Sequence, residues 1–145
     1  MKHTIKKAAF TLGLLALPMA ASAHSNHCED TQLGEQMKSL KDSFKTYRQA
    51  LSEEDWQQMA AARGDMQELA EAAADERPLK LHDLPAEQHP QMMQDYQQGL
   101  DRLNNLFNQL AEAEQTQDAD TATDLVGMIG KHSKQSHESL RKDCD

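Results

Sequence analysis

The sequence predicts an all-α protein, an antiparallel up-down-up-down four-helix bundle, and three observations carry that expectation. After residue 23 the chain consists largely of Ala, Gln, Glu, Met, Leu and Lys, which are strong helix formers. No run of β-branched residues alternates in the manner of a strand. Four segments place apolar residues at alternating steps of three and four, and two short links and one longer one join them.

The first stretch, MKHTIKKAAFTLGLLALPMAASA, holds Lys2, Lys6 and Lys7 and no acid, then an apolar run from Ala8 to Leu17, then Ala21-Ser22-Ala23. This order predicts a secretory signal peptide over 1–23, cleaved after Ala23, and a single mature domain over 24–145 exported to the periplasm. No later segment reaches the ~18 apolar residues of a membrane span. Removing the three leader lysines takes the formal charge from −9 to −12. Such a surface argues against nucleic acid and anionic lipid, and it would steer a redox partner with a basic surface toward a monomeric protein.

In the first helix Leu33, Met37, Leu40, Phe44, Tyr47 and Leu51 share one stripe. Ser52 is the expected N-cap of the second helix, with Asp55 three residues on; its stripe is Trp56, Met59, Met66, Leu69 and Ala73, interrupted by Arg63 and Gly64, and it should run to about Asp75. Pro78, Pro85 and Pro90 then forbid a continuous helix and mark a long crossing loop, with Pro90 suited to the first turn of helix three. Met93, Tyr96, Leu100, Leu103, Phe107 and Leu110 form the third stripe. The fourth helix is expected to bury Ala122, Val126, Ile129, Ser133, His137, Leu140 and Cys144, a face that is polar and small in its middle.

Two cysteines remain, Cys28 and Cys144. An even count in an exported protein points to a disulfide. Two metal-binding thiols are the alternative, and Cys144 has few other donors near it, although Cys28 has His24 and His27. In an antiparallel bundle a Cys28–Cys144 bond joins the start of helix one to the end of helix four. Met37 lies nine residues inside from Cys28 and His137 seven inside from Cys144, so at ~1.5 Å per residue their depths differ by only ~3 Å. A thioether and an imidazole at one level suit the axial positions of a haem iron. Read singly, each is an ordinary residue, a core methionine and a hydrogen-bonded histidine. Gly130, Ser133 and Ser136, where a tight bundle would place Leu or Ile, are expected to leave a slot beside His137.

The segments LGEQMKSLKDSFKTYRQAL around Met37, RPLKLHDLPAEQHPQMMQDYQQGLDRL and KQSHESLRK around His137 resemble the soluble periplasmic cytochrome b562 family over nearly all of the mature chain. The resemblance implies a non-covalent haem b with Met37 and His137 as axial iron ligands, Arg141 as a propionate partner, and Tyr96 and Leu100 against the macrocycle. Leu100 or Tyr96 departs from the family's aromatic pattern there, and Ser133 stands where a member of the family carries arginine. Related bundles that attach haem covalently use Cys-x-x-Cys-His in the last helix; Ser133-Lys134-Gln135-Ser136-His137 keeps that spacing with serines, which implies haem held without a tether. Such a protein would transfer electrons and would not be an enzyme, since no nucleophile, base and orienter stand together.

A second reading starts from HSNHCED at the mature end, where His24, its α-amino group, His27 and Cys28 could chelate copper or zinc. The chain would then be a haem-free exported bundle that binds metal ions or partner proteins. His82, His89 and His132 are not expected to be ligands; His132 lies roughly 140° around the helix from His137.

Overall fold

The computed structural model describes residues 31–140, which form the predicted bundle: α1 (Gln32–Glu53), α2 (Trp56–Ala73), α3 (His89–Thr116) and α4 (Ala119–Leu140), with no strand among the described residues. The signal peptide expected over 1–23, and His24, His27, Cys28, Arg141 and Cys144, lie outside them.

The two short links are built alike. Glu54 and Gln117 end α1 and α3 in left-handed conformations, with φ of 51° and 53°, and their N–H groups turn back to the last carbonyls of the helix. The next residue, Asp55 or Asp118, then caps the following helix, accepting at 3.0 Å from the N–H of Gln58 or Thr121. The Thr121 backbone and hydroxyl hydrogen bonds hold the Asp118 carboxyl below its ordinary value. Ser52 is therefore not the cap expected of it. It sits in the last turn of α1 and donates its hydroxyl to the Gln49 carbonyl at 2.6 Å, because the helix ends only at the left-handed Glu54. Links this short leave consecutive helices antiparallel.

The long crossing is more ordered than a bare loop. Pro78 and Pro85 each precede a short 3₁₀ turn, Leu79–Asp83 and Ala86–Gln88, Leu81 is buried, and Pro90 stands in the first turn of α3. His89 Nε2 lies 3.0 Å from the Leu84 carbonyl, which fastens the loop to the helix start.

One core fills the middle of the bundle around Tyr47, Met59, Met66, Phe107 and Leu110, all wholly buried, with Ala50, Ala62 and Ala70 allowing close approach of α1 and α2. Arg63, which interrupts the α2 stripe, reaches Glu114 of α3 with Nε at 2.9 and 3.1 Å from its two carboxylate oxygens, and donates from Nη1 to Gln67 at 2.7 Å. That pairing lets a charged residue face the interior. Packing is extensive between α1 and α2 and between α3 and α4, and sparse between α1 and α4.

The buried stripe of α4 is rotated from the expected one. Ala122, Leu125 and Ile129 are buried, Val126, Ser133 and Leu140 are half-buried, and His137 is exposed. The cause is α3: His132 Nε2 lies 2.8 Å from the Gly99 carbonyl, and a Cβ at Gly99 would stand 3.8 Å from the Ser136 hydroxyl. These contacts turn His132 and Ser136 toward α3 and carry His137 to the other flank.

Candidate functional site

At the end of the bundle where α1 begins and α4 ends, a second apolar cluster forms. Ala73, Tyr96 and Leu100 are buried there, and Leu33, Met37, Met93 and Leu140 pack against them half-buried, so all four helices contribute. Two hydrogen bonds to the end of α2 hold its floor: the Tyr96 hydroxyl donates to the Ala73 carbonyl at 2.5 Å and Gln97 Nε2 donates to the Ala74 carbonyl at 2.8 Å. Burial, and behind it the Glu76 carboxylate, pushes the Tyr96 phenol up to about 12. Tyr96 is thus a neutral, fixed wall.

Three of the residues read from the sequence, Met37, Tyr96 and Leu100, meet in this cluster. His137 stands one turn before Leu140, which touches the same cluster, so it lies at the level of Met37. Its side chain is exposed, on the α4 flank that faces away from α3. On α1 the fully buried residues are Tyr47 and Ala50, while Met37 and Phe44, seven residues apart on one flank, remain half-buried although apolar. Since α1 is closely packed on α2 and scarcely on α4, this half-covered flank borders the α1–α4 seam. Met37 and His137 therefore stand at one level on the two sides of the least closed seam of the bundle.

The slot expected from Gly130, Ser133 and Ser136 is not formed as such. Gly130 is exposed, with nothing near the position of a Cβ, and Ser136 packs toward Gly99; Ser133 alone of the three is half-buried on the seam side. Leu33, Met93 and Leu140 supply the apolar lining instead, and their places on the helical stripes are the signal for them. His82 and His89 stand apart, on a shallow pocket of the crossing loop with Arg77 and Leu81. No three His, Cys, Asp or Glu side chains gather into a metal-binding group among the described residues. No described helix is long and apolar enough to cross a membrane.

The donor set fits a haem iron. A half-buried thioether is level with an imidazole across an incompletely closed seam, over a floor of apolar side chains whose one hydroxyl is already hydrogen-bonded. No curated protein matches the chain. The sequence model of the family described as Cytochrome b562 matches residues 32–141, most of the chain.

Proposed function

The chain belongs to the cytochrome b562 family, and from that membership we propose a periplasmic electron carrier in which Met37 and His137 hold the iron of one haem b. The family binds haem b without a covalent bond and carries electrons without catalysing a reaction. What supports the ligand assignment most directly is the common level of Met37 and His137 on either side of the α1–α4 seam.

Each residue has a separate task in this reading. Met37 offers its thioether from a helix packed firmly on α2. His137 offers the imidazole from a helix whose α3 contacts, His132 to Gly99 above all, fix its rotation. Tyr96 and Leu100, themselves buried, would supply apolar surface against the haem and help to exclude water from it. Arg141, four residues after His137 in the sequence, would be the propionate partner, a task that suits a guanidinium. Serines at 133 and 136 leave ligation, packing and these polar contacts to retain the group. Haem held by Met37 and His137 would supply a reversible one-electron couple, with a potential higher than that of haem held by two histidines. Export follows from the leader over 1–23 and gives a mature chain beginning at His24.

Haem loading of ligand variants tests the reading. His137→Ala should abolish or gravely weaken haem retention, whereas Met37→Ala should keep haem through the histidine, open one coordination position and lower the potential. Both variants retaining the six-coordinate spectrum of the unaltered protein would overturn the assignment. N-terminal sequencing of the exported protein checks cleavage after Ala23.

A further inference from the structure

Net charge alone, −12 without the leader lysines, points to a basic redox partner, but the charges sorted by helix face point the other way. On α1 Lys38, Lys41, Lys45 and Arg48 are all exposed and recur at steps of three, four and three, which sets them in one ridge. Met37 lies one turn before Lys41, beside that ridge. Glu35, Asp42 and Glu53, the carboxylates of α1, recur at seven and eleven residues on a neighbouring flank; Asp42 stands within one turn of Lys38, Lys41 and Lys45, Glu35 within one turn of Lys38, and Glu53 within one turn of none of the ridge. On α4 Lys131 and Lys134 are exposed at the same end, Lys134 three residues before His137, with Glu138 the one carboxylate of that half of the helix. By contrast α2 exposes Asp65, Glu68 and Glu71, and its sole cation, Arg63, is paired with Glu114.

We infer that the redox partner docks on the α1–α4 seam and meets it with an acidic surface, a proposal that rests on the electron-carrier reading above. Screening decides between the two charge patterns. At physiological ionic strength charges are screened over ~8 Å, and packed helix axes are themselves 8–10 Å apart, so carboxylates on the outer face of α2 contribute little at the seam. A compact acidic patch brought to the seam meets Lys38, Lys41, Lys45 and Lys134. An extended polyanion such as an anionic membrane would meet the whole acidic molecule and be repelled.

The test uses the haem-loaded ferrous protein at ~0.15 M salt, because at ~0.01 M the screening length of ~30 Å would let the net charge dominate. Electron exchange is followed by stopped flow with a small acidic flavoprotein and with a small basic cytochrome. Lys41→Glu combined with Lys134→Glu should slow exchange with the acidic protein about fivefold or more and not slow it with the basic one, while Glu68→Lys combined with Glu71→Lys should change either rate less than about twofold. An unchanged rate with the acidic protein in the lysine variant, or a larger effect of the α2 variant, overturns the proposal. Loss of the haem reading shows separately, as absence of a six-coordinate spectrum before mixing. In that event amide shifts of α1 and α4 on titration with the acidic protein, which require no haem, decide the docking claim: confined to the ridge and to Lys131–His137 they support it, and absent or spread over α2 and α3 they refute it.

Discussion

His132 Nε2 lies 2.8 Å from the carbonyl oxygen of Gly99, tying α4 to α3 five residues before His137. A carbonyl only accepts, so the ring must carry its proton on Nε2. The bond lies beside the approach of Ser136 to Gly99, and it decides which flank of α4 faces the seam.

His132→Ala should lower the unfolding free energy of the haem-free protein by about 1 kcal/mol, the usual net worth of one hydrogen bond, and weaken haem retention because α4 can then rotate. Gly99→Ala is the control. Its new Cβ would stand 3.8 Å from Ser136, an ordinary contact, and the carbonyl remains. That variant should be neutral or up to ~1 kcal/mol more stable, since alanine restricts the unfolded chain and favours helix. Urea unfolding distinguishes the two, and a His132→Ala protein as stable as its parent would show that the tie is idle.

The Arg63–Glu114 pair makes a second, independent prediction. The Glu114 side chain is 6% exposed and Arg63 18%, so removing one partner leaves a charge little helped by water. Arg63→Met should cost about 2–4 kcal/mol, whereas Arg63→Met with Glu114→Leu should cost less than that single change, since no uncompensated carboxylate remains. Additive losses in the double variant would mean that Arg63 and Glu114 act independently and would refute the coupling, while a double loss equal to that of Arg63→Met alone would mean that the ion pair itself, rather than an orphaned charge, carries the effect.

The two tyrosines should make the protein sensitive to alkali. Burial, then the Glu114 carboxylate, pushes the Tyr47 phenol far above its ordinary value, and Tyr96 is pushed up to about 12. In each case the folded state holds the proton more tightly than the unfolded chain, whose phenols titrate near 10. The contribution is therefore fully present below pH ~10 and is lost as the pH rises from there through 12. Tyrosinate absorbance should accordingly appear together with loss of helical circular dichroism, and titration with the helices intact would contradict the burial. The hydroxyls differ in neutral solution. The buried Tyr47 hydroxyl makes no well-formed hydrogen bond and stands beside the Glu114 carboxylate, so Tyr47→Phe should cost less than Tyr96→Phe, which loses the bond to Ala73 and should cost about 1 kcal/mol.

Much of this bundle is written in local pattern. The α3 stripe from Tyr96 to Leu110 and the prolines of the crossing follow from periodicity and ring chemistry, and so does the place of Met37 on the apolar stripe of α1. The failures share a cause, which is that the deciding contact is distant in sequence. Two inward stripes on α4, one through Val126 and Ser133 and the other through Leu125, His132 and Ser136, fit the same period, and only Gly99 of α3 selects between them. Arg63 read as an interruption because its partner is 51 residues away. Ser52 read as a cap because a left-handed glutamate at 54 has no residue signature of the kind glycine gives.

The last prediction concerns the two chain ends. Leu33 of α1 and Leu140 of α4 pack on one cluster, and Cys28 lies five residues before the first and Cys144 four after the second. Spans that short, at no more than ~3.6 Å per residue, would allow the two thiols to meet, and export as proposed above would bring the chain into an oxidising compartment. A Cys28–Cys144 bond would close a loop of over a hundred residues. In the chain-entropy account that is worth up to ~4 to 5 kcal/mol, which for a domain of this size corresponds to a fall in melting temperature on the order of 10 °C when the bond is reduced. The helices should survive reduction, because the central core around Phe107 does not involve the ends, and the haem spectrum should change little below the new transition. Mass spectrometry of the exported protein before and after reduction and alkylation checks the bond directly. Two alkylatable thiols in the untreated protein would rule it out, and a melting point indifferent to reductant would show that the bond, if formed, closes no loop that the fold has not already closed.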